Sequence, residues 1–260
     1  MRILFIGDIV AKPGREIVNN ILPEIKVKES IDLVIANVEN LSGGKGVTRS
    51  TLKEMQDAGV DFFTGGDHIF WQKEVEDCFQ EFPLIRPANY PSTCSGEGYK
   101  VLDTGRNGSV LIANLIGRTS FGGNQAYTDD PFTLADKILS DTENLDIAFS
   151  LIDFHAEATS EKQAFAYYLD GRVGAVCGTH THVPTCDERV LPSGTMYVTD
   201  AGMTGNIDSV LGVKKEIIIQ QYLTAQNQRF EWENTGKKAF RSVIIDTDSK
   251  VISRLDRISD

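Results

Sequence analysis

The sequence predicts an α/β fold, on three observations. Near the start of the chain a short apolar run ends in a polar tip and gives way to a helix-forming stretch, three times over. Further β-branched and aromatic runs follow, with helical patterns between them. A chain of 260 residues with 41% hydrophobic content can bury one large core, and nothing forces a second domain, so residues 1–260 read as a single domain.

Each element has a local reason. Residues 3–6 (Ile-Leu-Phe-Ile) suit a buried strand that stops at Gly7-Asp8. After Lys12-Pro-Gly-Arg15 a helical pattern runs to about residue 28, with Pro23 expected to bend or split it. Residues 32–37 form the next buried strand, tipped by Glu39-Asn40, and residues 42–46 (Ser-Gly-Gly-Lys-Gly) a flexible loop. Thr51 and Glu54 have the spacing of a capping box on a helix that Gly59 closes. Residues 61–64 make a third strand, stopping at glycines before Asp67-His68. Residues 83–98 read as loop, 108–116 as strand, 131–140 as helix, and 145–154 as a long apolar strand delivering His155. Residues 158–170 have helical spacing, with Ser160 and Gln163 as a second capping box and Gly171 as the stop. Strands are expected at 173–177, 195–199, 228–233, 242–246 and 251–257, the last two paired across Thr247-Asp248-Ser249.

Composition excludes several functions. A net charge of −11 argues against a protein that coats nucleic acid or an anionic membrane. It leaves a small anionic substrate open, because bound cations can reverse the field inside one pocket. The four cysteines, Cys78, Cys94, Cys177 and Cys186, contain no CxxC pair, so a thiolate metal cluster is not expected; Cys177 reads as a small buried hydrophobe. Residues 1–10 are interrupted too soon for a secretory signal, and no run approaches the ~20 apolar residues of a membrane span. The expectation is a cytoplasmic protein.

All four histidines fall in segments that look like chemistry: His68 in Gly66-Asp67-His68, His155 in Asp153-Phe154-His155, and His180 and His182 in Gly178-Thr179-His180-Thr181-His182. With Asp8 and Glu39-Asn40 they set oxygen and imidazole donors at the ends of five apolar runs. In open α/β sheets ligands bind beyond the carboxyl ends of strands. A His-x-His pair at a strand end projects both rings to one side. Such donors without thiolate suit Mn, Fe, Zn or Co in a two-metal hydrolytic centre. Taken singly, each group has a plainer reading. Asp8 could be a turn or helix cap, Glu39-Asn40 a solvated turn and His155 a satisfied core histidine. Their joint order along the chain favours the metal centre. Gly43-Gly44 with Lys45 lacks the GxxxxGK[ST] pattern and reads as a lid, while Phe70 and Trp71 should pack the following helix. Arg86, Asn89 and Arg118 are candidates for touching substrate phosphate or base, with surface or structural roles equally open.

In this order the motifs resemble those of the calcineurin-like metallophosphoesterases. More closely, Gly7-Asp8-Ile-Val with Lys12-Pro-Gly-Arg15, Asn37-Val-Glu39-Asn40, and residues 153–163 resemble a bacterial subfamily described as 2′,3′-cyclic-nucleotide 2′-phosphodiesterases. The likeness runs from Met1 to at least Gly212. It implies a four-layer α/β/β/α sandwich with two central mixed sheets. Position by position it implies one metal on Asp8, Glu39, Asn40 and His182, and another on Glu39, Asp67, His155 and His180, with Glu39 bridging. Fe or Mn is expected, and Zn also fits. The implied reaction is hydrolysis of 2′,3′-cyclic nucleotides to 3′-nucleotides by a metal-bound hydroxide, with His68 as general acid. Alternatives are a phosphomonoesterase or nucleotide pyrophosphatase on the same scaffold, or a non-catalytic nucleotide-sensing regulatory protein. A sensor would not need the proton donor at His68. Expected partners are a small phosphodiester and a second copy of the chain, with no nucleic-acid polymer and no membrane.

Two departures stand out. The broad superfamily carries Asp-x-His at the first strand where this chain has Val10, and the resemblance implies that Asn40 fills that place. Family members have asparagine where this chain has Asp67, which adds a negative charge to the site.

Overall fold

In the computed structural model, which describes residues 1–120 and 127–259, the apolar runs assemble into two facing sheets. The first half of the chain runs β1 (Arg2–Ile6), α1 (Ala11–Lys28), β2 (Leu33–Asn37), α2 (Arg49–Ala58), β3 (Phe62–Thr64), α3 (Val75–Glu81), β4 (Tyr99–Asp103), β5 (Ser109–Ile116) and α4 (Pro131–Asp141). It continues as β6 (Ile147–His155), α5 (Thr159–Tyr168), β7 (Ala175–Thr179), β8 (Arg189–Val190), β9 (Met196–Val198) and β10 (Gly205–Asn206). Then come α6 (Lys215–Thr224), β11 (Lys238–Phe240), β12 (Ser242–Asp246), β13 (Val251–Arg254) and β14 (Arg257–Ser259).

One sheet has the order β13-β12-β1-β2-β3, with β1, β2 and β3 parallel and β12 antiparallel to β1. The other has the order β4-β5-β6-β7-β9-β8, parallel from β5 to β9 with antiparallel edge strands. Alternation along β1 explains the layering. Leu4 and Ile6 pack with Ile17, Val18 and Leu22 of α1, while Ile3 and Phe5 pack with Val110, Ile112, Leu151 and Cys177 of the opposite sheet. The far face of that second sheet is closed by α4 and α5, where Phe154 stacks on Phe165 at 4.0 Å. The layers are therefore helix, sheet, sheet, helix, as the resemblance implied. Sheets covered on both faces need apolar side chains on both, which is why the strands read as unbroken apolar runs.

Several local expectations change. Helix α1 runs unbroken through Pro23: Leu22 and Ile25 on either side of it anchor the buried face, which offsets the hydrogen bond the exposed proline cannot make. The α2 capping box is Thr48 with Thr51, not Thr51 with Glu54; Glu54 instead receives Arg15 Nε at 2.7 Å and Asn19 Nδ2 at 2.8 Å, tying α2 to α1. Gly59 closes α2 in the left-handed region, as expected. Ser160 lies inside α5, whose cap Ala158 makes no side-chain bond, so no box forms there. Residues 228–233 form no strand and contribute one bridge, Trp232 to Val213. The 251–257 run splits in two: β13 pairs with β12, while β14 joins β11 and β10 in a separate small sheet. Among the described residues no helix is long and apolar enough to cross a membrane.

Candidate metal centre

The carboxyl ends of both sheets converge, and the polar tips meet there. Asp8 follows β1, Glu39 and Asn40 follow β2, Asp67 and His68 follow β3, His155 ends β6, and His180 and His182 follow β7. Asp8, Glu39, Asn40 and His155 are buried. His155 is central: its Nε2 lies 3.1 Å from Asp67 Oδ1, 3.1 Å from His180 Nδ1 and 3.4 Å from Glu39 Oε2. Its Nδ1 lies 3.9 Å from Asp8 Oδ1, which is also 3.9 Å from His182 Nε2. Asn40 Nδ2 stands 3.4 Å from His182 Nε2 and donates to Glu39 Oε1 at 2.8 Å. The seven groups expected to hold metal thus share one site.

The His-x-His pair gets there by a different route from the one expected. Both histidines lie beyond β7, with φ of +98° at His180 and +64° at His182. A left-handed turn, unusual for side chains of this size, brings the rings together rather than strand alternation. Gly66 is required by crowding. A Cβ there would fall 2.1 Å from Glu39 Oε2 and 2.5 Å from His155 Nε2.

A polar layer behind the site fixes these groups. The Asp153 carboxylate accepts from Thr179 Oγ1 at 2.6 Å, Thr64 Oγ1 at 2.5 Å and Asn37 Nδ2 at 2.9 Å. Because the Thr179 hydroxyl donates to Asp153, it accepts from His155 Nδ1 at 2.9 Å, which turns Nε2 toward Asp67 and the site. His180 is oriented likewise: Nε2 meets Glu157 Oε2 at 3.1 Å, while Nδ1 faces Asp67 and His155. Asp200 accepts from Thr181 N at 3.1 Å and Thr181 Oγ1 at 2.7 Å, and Lys162 Nζ pairs with it at 2.6 Å in the interior. Sequence reading passed over Glu157, Lys162, Thr179 and Asp200. Glu157 and Thr179 carry a signal as polar residues flanking the histidines, whereas Lys162 and Asp200 lie away from them in the sequence.

The electrostatics match a cation site. Burial pushes the Asp8 carboxyl up to about 8, against the pull of His155. Burial lowers His182 to about 4. His155 rises to about 10, because Glu39, Asp67 and Asp8 outweigh burial. Burial would also raise Asp67, yet hydrogen bonds from His155 and His180 hold it far below the usual carboxylate range. Glu39 is lowered too, since His155 outweighs burial. Two buried atoms, Asp8 Oδ1 and His182 Nδ1, have no hydrogen-bond partner. An orphaned carboxylate oxygen beside two imidazoles fits a cation, as does the oxygen-and-nitrogen donor set. Donor atoms of Asp67, His155 and His180, of Asp8, Glu39 and His155, and of Glu39, Asp67 and His68 each cluster within 4.8 Å.

The site opens into a cavity of about 420 Å³, floored by Glu39, Asn40, His68, His180 and His182. A cavity of about 510 Å³ beside Met1, Arg106 and Lys250 holds none of these groups. The three substrate candidates lie elsewhere. Arg86 is buried with its guanidinium on the carbonyls of Ser95, Pro87 and Ala88. Buried Asn89 is saturated by the backbone of Ile116 and Asp129. Arg118 is exposed and pairs with Asp130 at 3.4 Å. Phe70 packs on Phe79 of α3, as expected, but Trp71 is 61% exposed and lies under Lys45 Nζ, 4.4 Å from the ring centre.

Four layers with carboxylates and imidazoles gathered at the carboxyl ends of two facing sheets define a metallophosphoesterase. The chain belongs to the YmdB-like protein family, whose model matches residues 4–258. It is 42% identical over 262 residues to a 2′,3′-cyclic-nucleotide 2′-phosphodiesterase of Bacillus subtilis strain 168, covering 99% of this chain and 96% of that protein. A crystal structure of a hypothetical protein from Thermus thermophilus superposes with a TM-score of 0.92 at 40% identity over 100% of both chains. A crystal structure of a Mycoplasma pneumoniae phosphatase gives 0.90 at 32% identity, covering 100% of this chain and 94% of that one.

Proposed function

We propose that the chain is a metal-dependent phosphodiesterase that opens 2′,3′-cyclic nucleotides to 3′-nucleotides. The observation that carries this reading is the orphaned Asp8 Oδ1 beside donor sets that share Glu39 and His155. Asp8, Glu39, Asn40 and His182 would hold one cation, and Glu39, Asp67, His155 and His180 a second, with Fe or Mn favoured and Zn fitting. Bound divalent cations supply Lewis-acid polarisation of phosphoryl oxygens and bring the pKa of coordinated water toward ~7. The chain's own residues supply orientation and a proton. His68 Nδ1 lies 3.1 Å from Glu39 Oε1 and 2.9 Å from Asn40 Oδ1, both acceptors, so Nδ1 carries a hydrogen; Nε2, 3.5 Å from Asp67 Oδ2, is the nitrogen that would serve the substrate. Burial disfavours the imidazolium, but Glu39 outweighs it and raises the His68 pKa. A protonated Nε2 is suited to donate to the departing 2′-oxygen, an alkoxide and otherwise a poor leaving group.

His68→Ala is expected to lower kcat on 2′,3′-cyclic AMP by ~10²–10⁴-fold, with much less loss on bis(p-nitrophenyl) phosphate, whose leaving group needs little acid. Chromatography of the cyclic AMP product should give 3′-AMP. Formation of 2′-AMP, or hydrolysis of p-nitrophenyl phosphate alone, would refute the assignment.

The charge at Asp67 has its own consequence. Two divalent ions bring four positive charges, and Asp8, Glu39 and Asp67 offset three of them, against two with asparagine at 67. Asp67→Asn should therefore lower the acidic limb of the pH–rate profile and tighten phosphate inhibition. Identical profiles and metal content in the two proteins would dismiss that role.

A further inference from the structure

The lining of the cleft has two characters. Besides the metal-centre groups, it has an apolar wall of Leu211, Val213, Tyr222, Phe230 and Trp232. Helix α6, which supplies Tyr222, buries none of its residues, and Tyr222 is 85% exposed. Apolar side chains left open on a helix beside a catalytic cleft call for an occupant. The wall is built rather than loose. Trp232 seats on Gly44 so closely that a Cβ there would fall 1.8 Å from its ring, and a Cβ at Gly212 would fall 2.9 Å from the same ring. The glycine loop read as a lid is thus the seat of an aromatic wall. A side cavity of about 250 Å³ shares Lys45, Phe230 and Trp232 with the cleft and reaches Trp71, so both tryptophans of the chain line this region.

We propose that Phe230 and Trp232, flanked by Tyr222 and Trp71, form a stacking subsite for the base of a nucleotide whose phosphate lies at the metal centre. This rests on the phosphodiesterase reading and adds a specificity to it. The cavity joins the proposed metal-binding floor to an apolar, aromatic wall, which matches a ligand with a compact phosphate and a planar ring. Stacking accepts every base, since each has a π-face, whereas choosing a base requires donors and acceptors at its edge. The wall offers few of these, Gln221 and Lys45 among them. The subsite should require a base without selecting which one.

The test compares kcat/KM for 2′,3′-cyclic AMP, 2′,3′-cyclic CMP and glycerol 1,2-cyclic phosphate in the wild type, Phe230→Ala and Tyr222→Ala. Phe230 is 42% exposed and Tyr222 85%, so neither change removes core packing. The wild type should prefer both nucleotides over the base-free ester, and Phe230→Ala should narrow that preference about ten-fold. Tyr222→Ala should narrow it in the same direction. Tryptophan fluorescence gives a readout independent of turnover: 3′-AMP should quench it saturably, ribose 5-phosphate should not, and Phe230→Ala should weaken the 3′-AMP titration about ten-fold. An unchanged preference and titration would overturn the proposal. So would a Phe230→Ala protein that changes its sedimentation but not its preference, since the wall would then be an interface between copies. A wild type that cleaves bis(p-nitrophenyl) phosphate but no cyclic nucleotide would count against the proposed reaction, while the 3′-AMP titration would still decide the subsite.

Discussion

Glu39→Gln should lower kcat/KM for phosphodiesters by roughly 10³-fold and strip the protein of at least one bound metal, from the several kcal/mol such ions contribute. The reason lies in what Glu39 touches. Oε1 accepts from Asn40 Nδ2 at 2.8 Å and faces His68 Nδ1 at 3.1 Å, while Oε2 accepts from His68 N at 2.8 Å and faces His155 Nε2 at 3.4 Å. Both oxygens are committed to donors in the interior. A glutamine must aim its NH₂ at one side or the other. Turned one way, it opposes the Asn40 amide and the His68 ring N–H; turned the other, it opposes the His68 backbone N–H. Either orientation leaves a buried donor without an acceptor and removes the charge shared by two donor clusters. Elemental analysis of the purified variant, read against turnover, decides the matter. Wild-type metal content with activity within ten-fold would mean that Glu39 does not hold the centre.

The chemistry of this site is unusually legible in the sequence, because each donor follows directly on an apolar run and strand ends in parallel sheets share one side. The layering is legible for the same reason. What escapes is whatever depends on long-range packing. Helix α6 has no amphipathic rhythm that would reveal it, since its apolar residues face the cleft and solvent rather than a core. The break between β13 and β14 is invisible in the 251–257 run because it is made by pairing with two different strands, β12 and β11. Pro23 looks like a breaker, but the buried face of α1 on both sides of it, Ile17, Val18, Leu22 and Ile25, carries the helix through. Arg86 and Asn89 have the right chemistry for substrate contacts, yet backbone carbonyls use their donors, and no local pattern foretells that. Thr179 and Asp153 lie in plain view beside His180 and His155. Their function appears only when β6 and β7 pair and set Asp153 near Thr179.

Lys162 is the clearest case of a residue whose importance is structural rather than local. It lies in α5, while Asp200 follows β9, and both side chains are only 1% exposed. Asp200 does more than pair with Lys162: it receives both Thr181 N and Thr181 Oγ1, in the turn between the two histidines, and Gly202 N at 2.8 Å. Lys162→Met would keep the apolar stem but leave that carboxylate buried without its cation, a loss of about 3–5 kcal/mol. For a chain of this size that is a fall in Tm of roughly 6–20 °C. The double variant with Asp200→Asn removes the uncompensated charge while keeping a carbonyl oxygen for Thr181, so it should recover at least half of the fall. The His180–His182 turn holds two non-glycine residues at positive φ, and it depends on this anchor to stay there. Metal affinity should therefore drop in Lys162→Met even at temperatures where the protein remains folded. Thermal unfolding with and without added metal separates these effects. If Lys162→Met melts within one or two degrees of the wild type and binds metal equally well, the anchor lies elsewhere and the turn is held by its own backbone.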